Sequence, residues 1–202
     1  INLYFMTEKE MKDELDISIE EMNDIKKMFL KSINFLNDIK RLNIIPDNTS
    51  FIYSIEGCDY IKSELDLEEL YSLGLRAIIP VWNHKNQYGS GIRTTDGLTK
   101  EGCELIKKAI KLGMIIDVSH ANENTFNGIL DIYEQEHTKS SIIIASHSNV
   151  KKICNNDRNL NDKQLVKLKE IDGYIGLVLY DKFIINDNEE NSKITEKEKF
   201  ME

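Results

Sequence analysis

The sequence predicts an α/β fold in which helices cover a parallel sheet, and three observations predict it. The apolar runs Ala77 to Trp82, Met114 to Val118 and Ser141 to Ala145 are nearly continuous rather than alternating, as in strands buried on both faces. One segment with helical apolar periodicity separates each run from the next, the βαβα rhythm of a parallel sheet. The length, 202 residues, lies near the lower limit of a single (β/α)8 barrel and suffices to bury a sizeable core.

Each element has a local cause. Ile1 to Met6 reads as a strand. Ser18-x-x-Glu21 forms a capping box with Ile17 and Met22 at staple positions. Met22, Ile25, Phe29, Ile33 and Leu36 then recur on one face, predicting a helix from Ser18 to Arg41. Pro46-Asp47-Asn48 breaks the chain, and Ser50 to Ile55 is a short strand ending at Glu56-Gly57. Asp66 to Leu73 reads as a helix closed by Gly74. Behind the strand Ala77 to Trp82 runs a polar, Gly-rich loop from Asn83 to Gly97, followed by a helix from Thr99 to Leu112 that Gly113 terminates. The strand Met114 to Val118 leads into Ser119-His120, and a helix spans Asn122 to Glu136. Ser141 to Ala145 leads into Ser146-His147; a helix spans Asn161 to Ile171 and a last strand Tyr174 to Tyr180. Six strands result, in one domain over 1–185, with a polar Asn/Glu/Lys-rich tail over 186–202.

Composition excludes several classes. A net charge of −9 argues against nucleic acid or an anionic membrane as partner. No apolar run approaches the roughly 18–20 residues of a spanning helix, so membrane insertion is not expected. No signal-peptide pattern is visible. Cys58, Cys103 and Cys154 are odd in number and far apart, which predicts reduced, buried thiols in a cytoplasmic protein.

In parallel α/β folds, chemistry collects at the carboxyl ends of strands. Those ends carry Glu56, Trp82-Asn83-His84, His120 and His147. A single histidine there is most simply a satisfied structural group. Two histidines and a glutamate at corresponding positions of βα units point instead to a metal site, and their donors suit Zn2+ or another borderline divalent ion. His84, in the loop just past a strand, is placed to face a substrate. His137 follows a helix C-terminus, where the dipole favours a cation, and reads as a surface residue.

The blocks Ser54-Ile55-Glu56-Gly57, Leu73-Gly74-Leu75-Arg76, Gly97-Leu98-Thr99, Leu112 to His120, Ala145-Ser146-His147-Ser148 and Asp157-Arg158-Asn159-Leu160 resemble, in order and spacing, those of the membrane (renal-type) dipeptidases, peptidase family M19. The resemblance covers Ser50 to Tyr180. It implies a (β/α)8 TIM-barrel hydrolase with two zinc ions that cleaves dipeptides by metal-activated water. It further implies that Glu56 is the catalytic, metal-bridging carboxylate and that His120 and His147 hold one ion. Arg158 would bind the substrate carboxylate, a task its planar fork suits. Trp82 stands where animal members place a substrate-contacting histidine, and the Trp82-Asn83 pair resembles bacterial members; Trp82, Asn83 and His84 are therefore substrate-binding candidates.

Two blocks of the family have no counterpart in the sequence: the His-x-Asp pair of its first strand and the Gly-x-Asp-Phe-Asp-Gly block of its last. The expectation is then an incomplete barrel, strands two to seven of eight, whose three ligands suffice for one open tetrahedral zinc. Three outcomes follow: part of a longer enzyme, a sheet completed by a second copy in a homodimer, or an inactive remnant that binds a peptide carboxylate or a partner.

Overall fold

Six parallel strands lie side by side in the order in which the chain makes them. The structure, a computed structural model, describes residues 2–3, 24–42, 49–136 and 141–185. The strands are β1 (Asn2–Leu3), β2 (Tyr53–Glu56), β3 (Leu75–Ile79), β4 (Ile115–Asp117), β5 (Ile142–Ala145) and β6 (Tyr174–Ile175). Among the described residues one helix lies in each crossover: α1 (Ile25–Arg41), α2 (Glu64–Ser72), α3 (Lys100–Lys111), α4 (Glu123–Glu136) and α5 (Asp162–Glu170). A strand order that follows chain order without reversal is that of a barrel, not of a doubly wound sheet. Among the described residues no pairing leads from β6 back to β1.

Register divides the sheet into two faces. Ile55 pairs with Ile78, Ile78 with Ile116 and Ile116 with Ile143, and all four are buried beneath the helices. There they meet Leu67 and Leu70 of α2, Leu105, Ile106 and Ala109 of α3, and Phe126, Ile129 and Leu130 of α4, in one continuous core. The opposite face carries Ser54, Glu56 and Asp117, one residue out of phase. This second face is only partly covered, with Ile142 42% and Tyr174 66% exposed.

Side-chain caps set the helix starts. Ser63 caps α2, Thr99 caps α3, and Asn161 forms a reciprocal capping box with Gln164 at α5. α1 begins at Ile25 rather than at Ser18, because Asp24 has extended backbone and its carboxylate accepts from the amides of Lys26 and Lys27. The expected capping box at Ser18 lies outside the described residues, as do His137 and the polar tail. Phe29 of α1 packs edge-to-face on Tyr53 of β2, with centroids 5.7 Å apart. Lys26 joins α1 to α2 by ion pairs with Asp66, at 3.2 Å, and Glu69.

The last strand is shorter than the expected Tyr174 to Tyr180. β5 ends at Ala145, so beyond Gly176 no strand continues beside the chain. The side chain of Asn149 takes the ladder's place, accepting from the Val178 amide at 3.0 Å and donating to its carbonyl at 2.9 Å. Cys58 and Cys154 are buried and Cys103 half-buried, and none of the three forms a disulfide. No helix among the described residues is long and apolar enough to cross a membrane.

Candidate metal centre

Glu56, His120 and His147 converge at the carboxyl ends of β2, β4 and β5, where their ligand atoms lie within 4.8 Å of one another. Glu56 is the final residue of β2 and is 2% exposed. Directly behind it Gly57 adopts φ +80°, a left-handed conformation open to glycine without strain, and its N–H donates to the Ile79 carbonyl at 2.9 Å. The chain therefore turns away while the carboxylate stays aimed into the site. His120 and His147 stand in the short turns just beyond β4 and β5.

The donor atoms crowd together. His120 Nε2 is 2.6 Å from Glu56 Oε1 and 2.9 Å from His147 Nε2, while His147 Nε2 is 3.6 Å from Glu56 Oε1. Burial alone would raise the Glu56 carboxyl, but the hydrogen bonds and charge of His120 and His147 outweigh it and bring its pKa down to about 2. Burial lowers the His120 pKa against the pull of Glu56, and the nearby Arg158 charge adds to the lowering. Glu56 is thus ionised and His120 neutral.

Tautomer then decides the chemistry. His120 Nδ1–H donates to Asn83 Oδ1 at 3.0 Å, which leaves Nε2 with its lone pair facing an ionised carboxylate. A shared proton or a bound cation draws the two atoms to 2.6 Å. Glu56 Oε2 is a second buried acceptor without a hydrogen-bond partner. The three separations bracket the roughly 3.3 Å expected between donors about 2.05 Å from a tetrahedral ion. One carboxylate and two imidazoles, placed this way, fit a divalent metal.

The surrounding residues hold that geometry. Asn83 belongs to the loop 83–97, which folds back so that Gly91 bridges to Ala121, the neighbour of His120. A Cβ on Gly91 would lie 1.7 Å from the Trp82 carbonyl oxygen, so only glycine permits the approach. Thr125 Oγ1 and Asn122 Nδ2 fasten the same loop to α4 through the carbonyls of Ser90, at 2.8 Å, and Asp96, at 2.7 Å.

The expected substrate-binding residues divide. Arg158 is 6% exposed, donates from Nη2 to the His147 carbonyl at 3.3 Å and stands over the Phe183 ring at 5.4 Å. It is buried beside His147 rather than exposed as a surface charge. The half-exposed Trp82 ring lies 6.2 Å from the His120 ring. Asn83 reaches His120 itself. His84 is exposed and instead accepts from Arg93 Nη1 at 3.4 Å, outside the cluster.

Sequence reasoning gave no role to Asp117, Ser119 or Phe183. Asp117 left one signal, a carboxylate inside the apolar run Ile115-Ile116-Asp117-Val118. Phe183 left none, because only folding brings it to Arg158.

The chain matches the family model for membrane dipeptidase, peptidase family M19, over residues 1–199. It is 32% identical to an uncharacterized Klebsiella pneumoniae protein from the pqqA 5′ region, covering 89% of this chain and 69% of that protein. It is 30% identical to an uncharacterized dipeptidase of Schizosaccharomyces pombe, over 71% of this chain and 35% of that one. Among solved structures, it resembles a metallo peptidase from Rhodobacter sphaeroides liganded with a phosphinate mimic of the dipeptide L-Ala-D-Ala. The TM-score is 0.64 at 30% identity, with coverage of 74% of this chain and 43% of that one. The chain thus spans less than half the length of the last two proteins.

Proposed function

The chain belongs to the membrane dipeptidase family, peptidase family M19, and on that premise we propose that it is a zinc-dependent hydrolase of dipeptides. The observation that carries this reading is the convergence of Glu56, His120 and His147 from three strand ends, with His120 Nε2 turned towards Glu56 Oε1 at 2.6 Å. Zinc, when bound by these residues, supplies a Lewis acid for the peptide carbonyl and lowers the pKa of water towards neutrality.

The chain's own residues prepare that chemistry. Glu56 stays ionised at any physiological pH and contributes the anionic donor. Asn83 holds His120 in the tautomer that presents Nε2 inward. Arg158 is the group for a substrate's free carboxylate: its guanidinium is buried beside His147 and braced by Phe183. Pairing that carboxylate a fixed distance from the metal donors restricts cleavage to very short peptides by positioning. Trp82 supplies an exposed aromatic wall over His120, and His84 with Arg93 forms the outer rim. The dipeptide mimic bound by the Rhodobacter sphaeroides relative supports a dipeptide with a free carboxylate as substrate.

The test compares hydrolysis of a dipeptide and of its C-terminal amide by the full chain with added Zn2+. Hydrolysis of the dipeptide with strong discrimination against the amide is expected. Equal rates on both would overturn the role of Arg158. Metal binding without any hydrolysis would favour the second reading, a non-catalytic carboxylate-binding module, which the supply of only three clustered ligands among the described residues supports.

A further inference from the structure

We propose that Asp117 is a positioning residue: its buried carboxylate sets the separation of the two imidazoles and thereby the metal affinity of the site. The inference rests on the reading of Glu56, His120 and His147 as metal ligands. It assigns to Asp117 and Ser119 a role that the ligand set alone does not contain.

The backbone ladder between β4 and β5 runs out before the histidines. Its last bond is from the Val118 N–H to the Ile144 carbonyl at 2.8 Å. The next amides along β5's exit, those of Ser146 and His147, find side chains instead. Ser146 N–H donates to Asp117 Oδ1 at 3.1 Å, and His147 N–H donates to Ser119 Oγ at 3.1 Å. Ser119 in turn donates to the same Asp117 oxygen twice, from its backbone N–H at 3.0 Å and from its hydroxyl at 2.6 Å.

One oxygen thus gathers three donors, two from the residue preceding His120 and one from the residue preceding His147. The relay through Ser119 Oγ adds the His147 amide itself. Together with the 3.4 Å contact of Ser119 Oγ with Ser146 Oγ, these bonds tie two turns that leave different strands and so hold the 2.9 Å between the Nε2 atoms. A carboxylate serves better than a neutral acceptor, because charge-assisted bonds are shorter and about twice as strong. Asp117 is 2% exposed between Ile116 and Val118. A carboxylate buried there would be costly unless its donors compensate it.

The prediction is read from Co2+ binding to the full chain, by calorimetry and by the visible spectrum of the bound ion. Ser119→Ala removes the relay but leaves the β4–β5 ladder untouched. Its Co2+ affinity is expected to fall by about 10- to 100-fold, as outer-shell losses typically do. The visible bands should shift, while the unfolding midpoint of the metal-free chain stays near that of the parent. Ser119→Thr, which keeps the hydroxyl, should restore both affinity and spectrum, and Asp117→Asn should weaken binding like Ser119→Ala. Parental affinity and spectrum in Ser119→Ala would overturn the proposal, as would a loss of stability with unchanged affinity. His120→Ala separates this failure from failure of the underlying reading. If that variant binds Co2+ as the parent does, the ligand assignment itself is wrong; if it loses binding while Ser119→Ala does not, only the positioning role falls.

Discussion

His120 and His147 bring their Nε2 atoms to 2.9 Å from one another although 27 residues separate them in the chain. Each stands just past the carboxyl end of its strand, and β4 and β5 pair in parallel through Ile116 and Ile143. Adjacency in the sheet therefore becomes adjacency of imidazoles, and Glu56 on β2 closes the triangle from the other side of β3.

Asn83 fixes the His120 tautomer, so Asn83→Ala should release the ring. Metal affinity is expected to fall by about 10- to 100-fold, measured by competition with a chromogenic chelator, while the far-UV circular dichroism is unchanged. An affinity equal to the parent's would show that the Nδ1–H contact at 3.0 Å has no such role.

Acid should destabilise the metal-free chain in two steps. His120 has a folded-state pKa below its ordinary 6.5, so below that value the unfolded chain takes up a proton that the folded chain refuses. Stability then falls as pH drops from 6.5 towards the lowered value. Glu56, at about 2 when folded and 4.5 ordinarily, adds a stabilisation that is present above 4.5 and lost as pH falls towards 2. Thermal midpoints measured across this range should decline in both windows, and Glu56→Gln should shrink the lower one, to which Asp66 also contributes. A midpoint in Glu56→Gln that still follows the parent between pH 4.5 and 2 would contradict the assignment.

Gly91→Ala should disturb the site from outside it. The added methyl meets the Trp82 carbonyl oxygen at 1.7 Å, which is backbone and cannot swing aside. A stability loss of about 1–3 kcal/mol is expected, together with weaker metal binding, because Trp82 and Asn83 must move. Parental values of both in chemical denaturation and metal titration would argue against the packed loop.

Arg158→Lys should raise KM for a dipeptide more than it lowers kcat, because an ammonium cannot reproduce the planar fork of a guanidinium. Steady-state kinetics on the dipeptide and on its amide check this. An effect of the same size on both substrates would detach Arg158 from the carboxylate.

Much of this arrangement was legible in the sequence. Strand ends are marked by where apolar runs stop, and Glu56, His120 and His147 stand at those stops. The periodic faces of α3 and α4 are local features, and the structure forms them as their spacing predicts. What escaped depends on contacts between distant segments. The Asp117 carboxylate is visible as an oddity in an apolar strand, but nothing local says that Ser146 is its partner. Arg158 needs Phe183, and Val178 needs the side chain of Asn149. Periodicity extended the last strand to Tyr180 because it cannot see that β5 has already ended.

The most direct test of the metal centre is the Zn2+ content of the full chain after equilibration with the ion and removal of excess, compared with that of His120→Ala. One tightly held Zn2+ per chain is expected in the parent, through Glu56, His120 and His147, with a loss of affinity in the variant larger than the roughly 10- to 100-fold typical of outer-shell changes. Equal zinc content in the two proteins, or none in the parent, would contradict it.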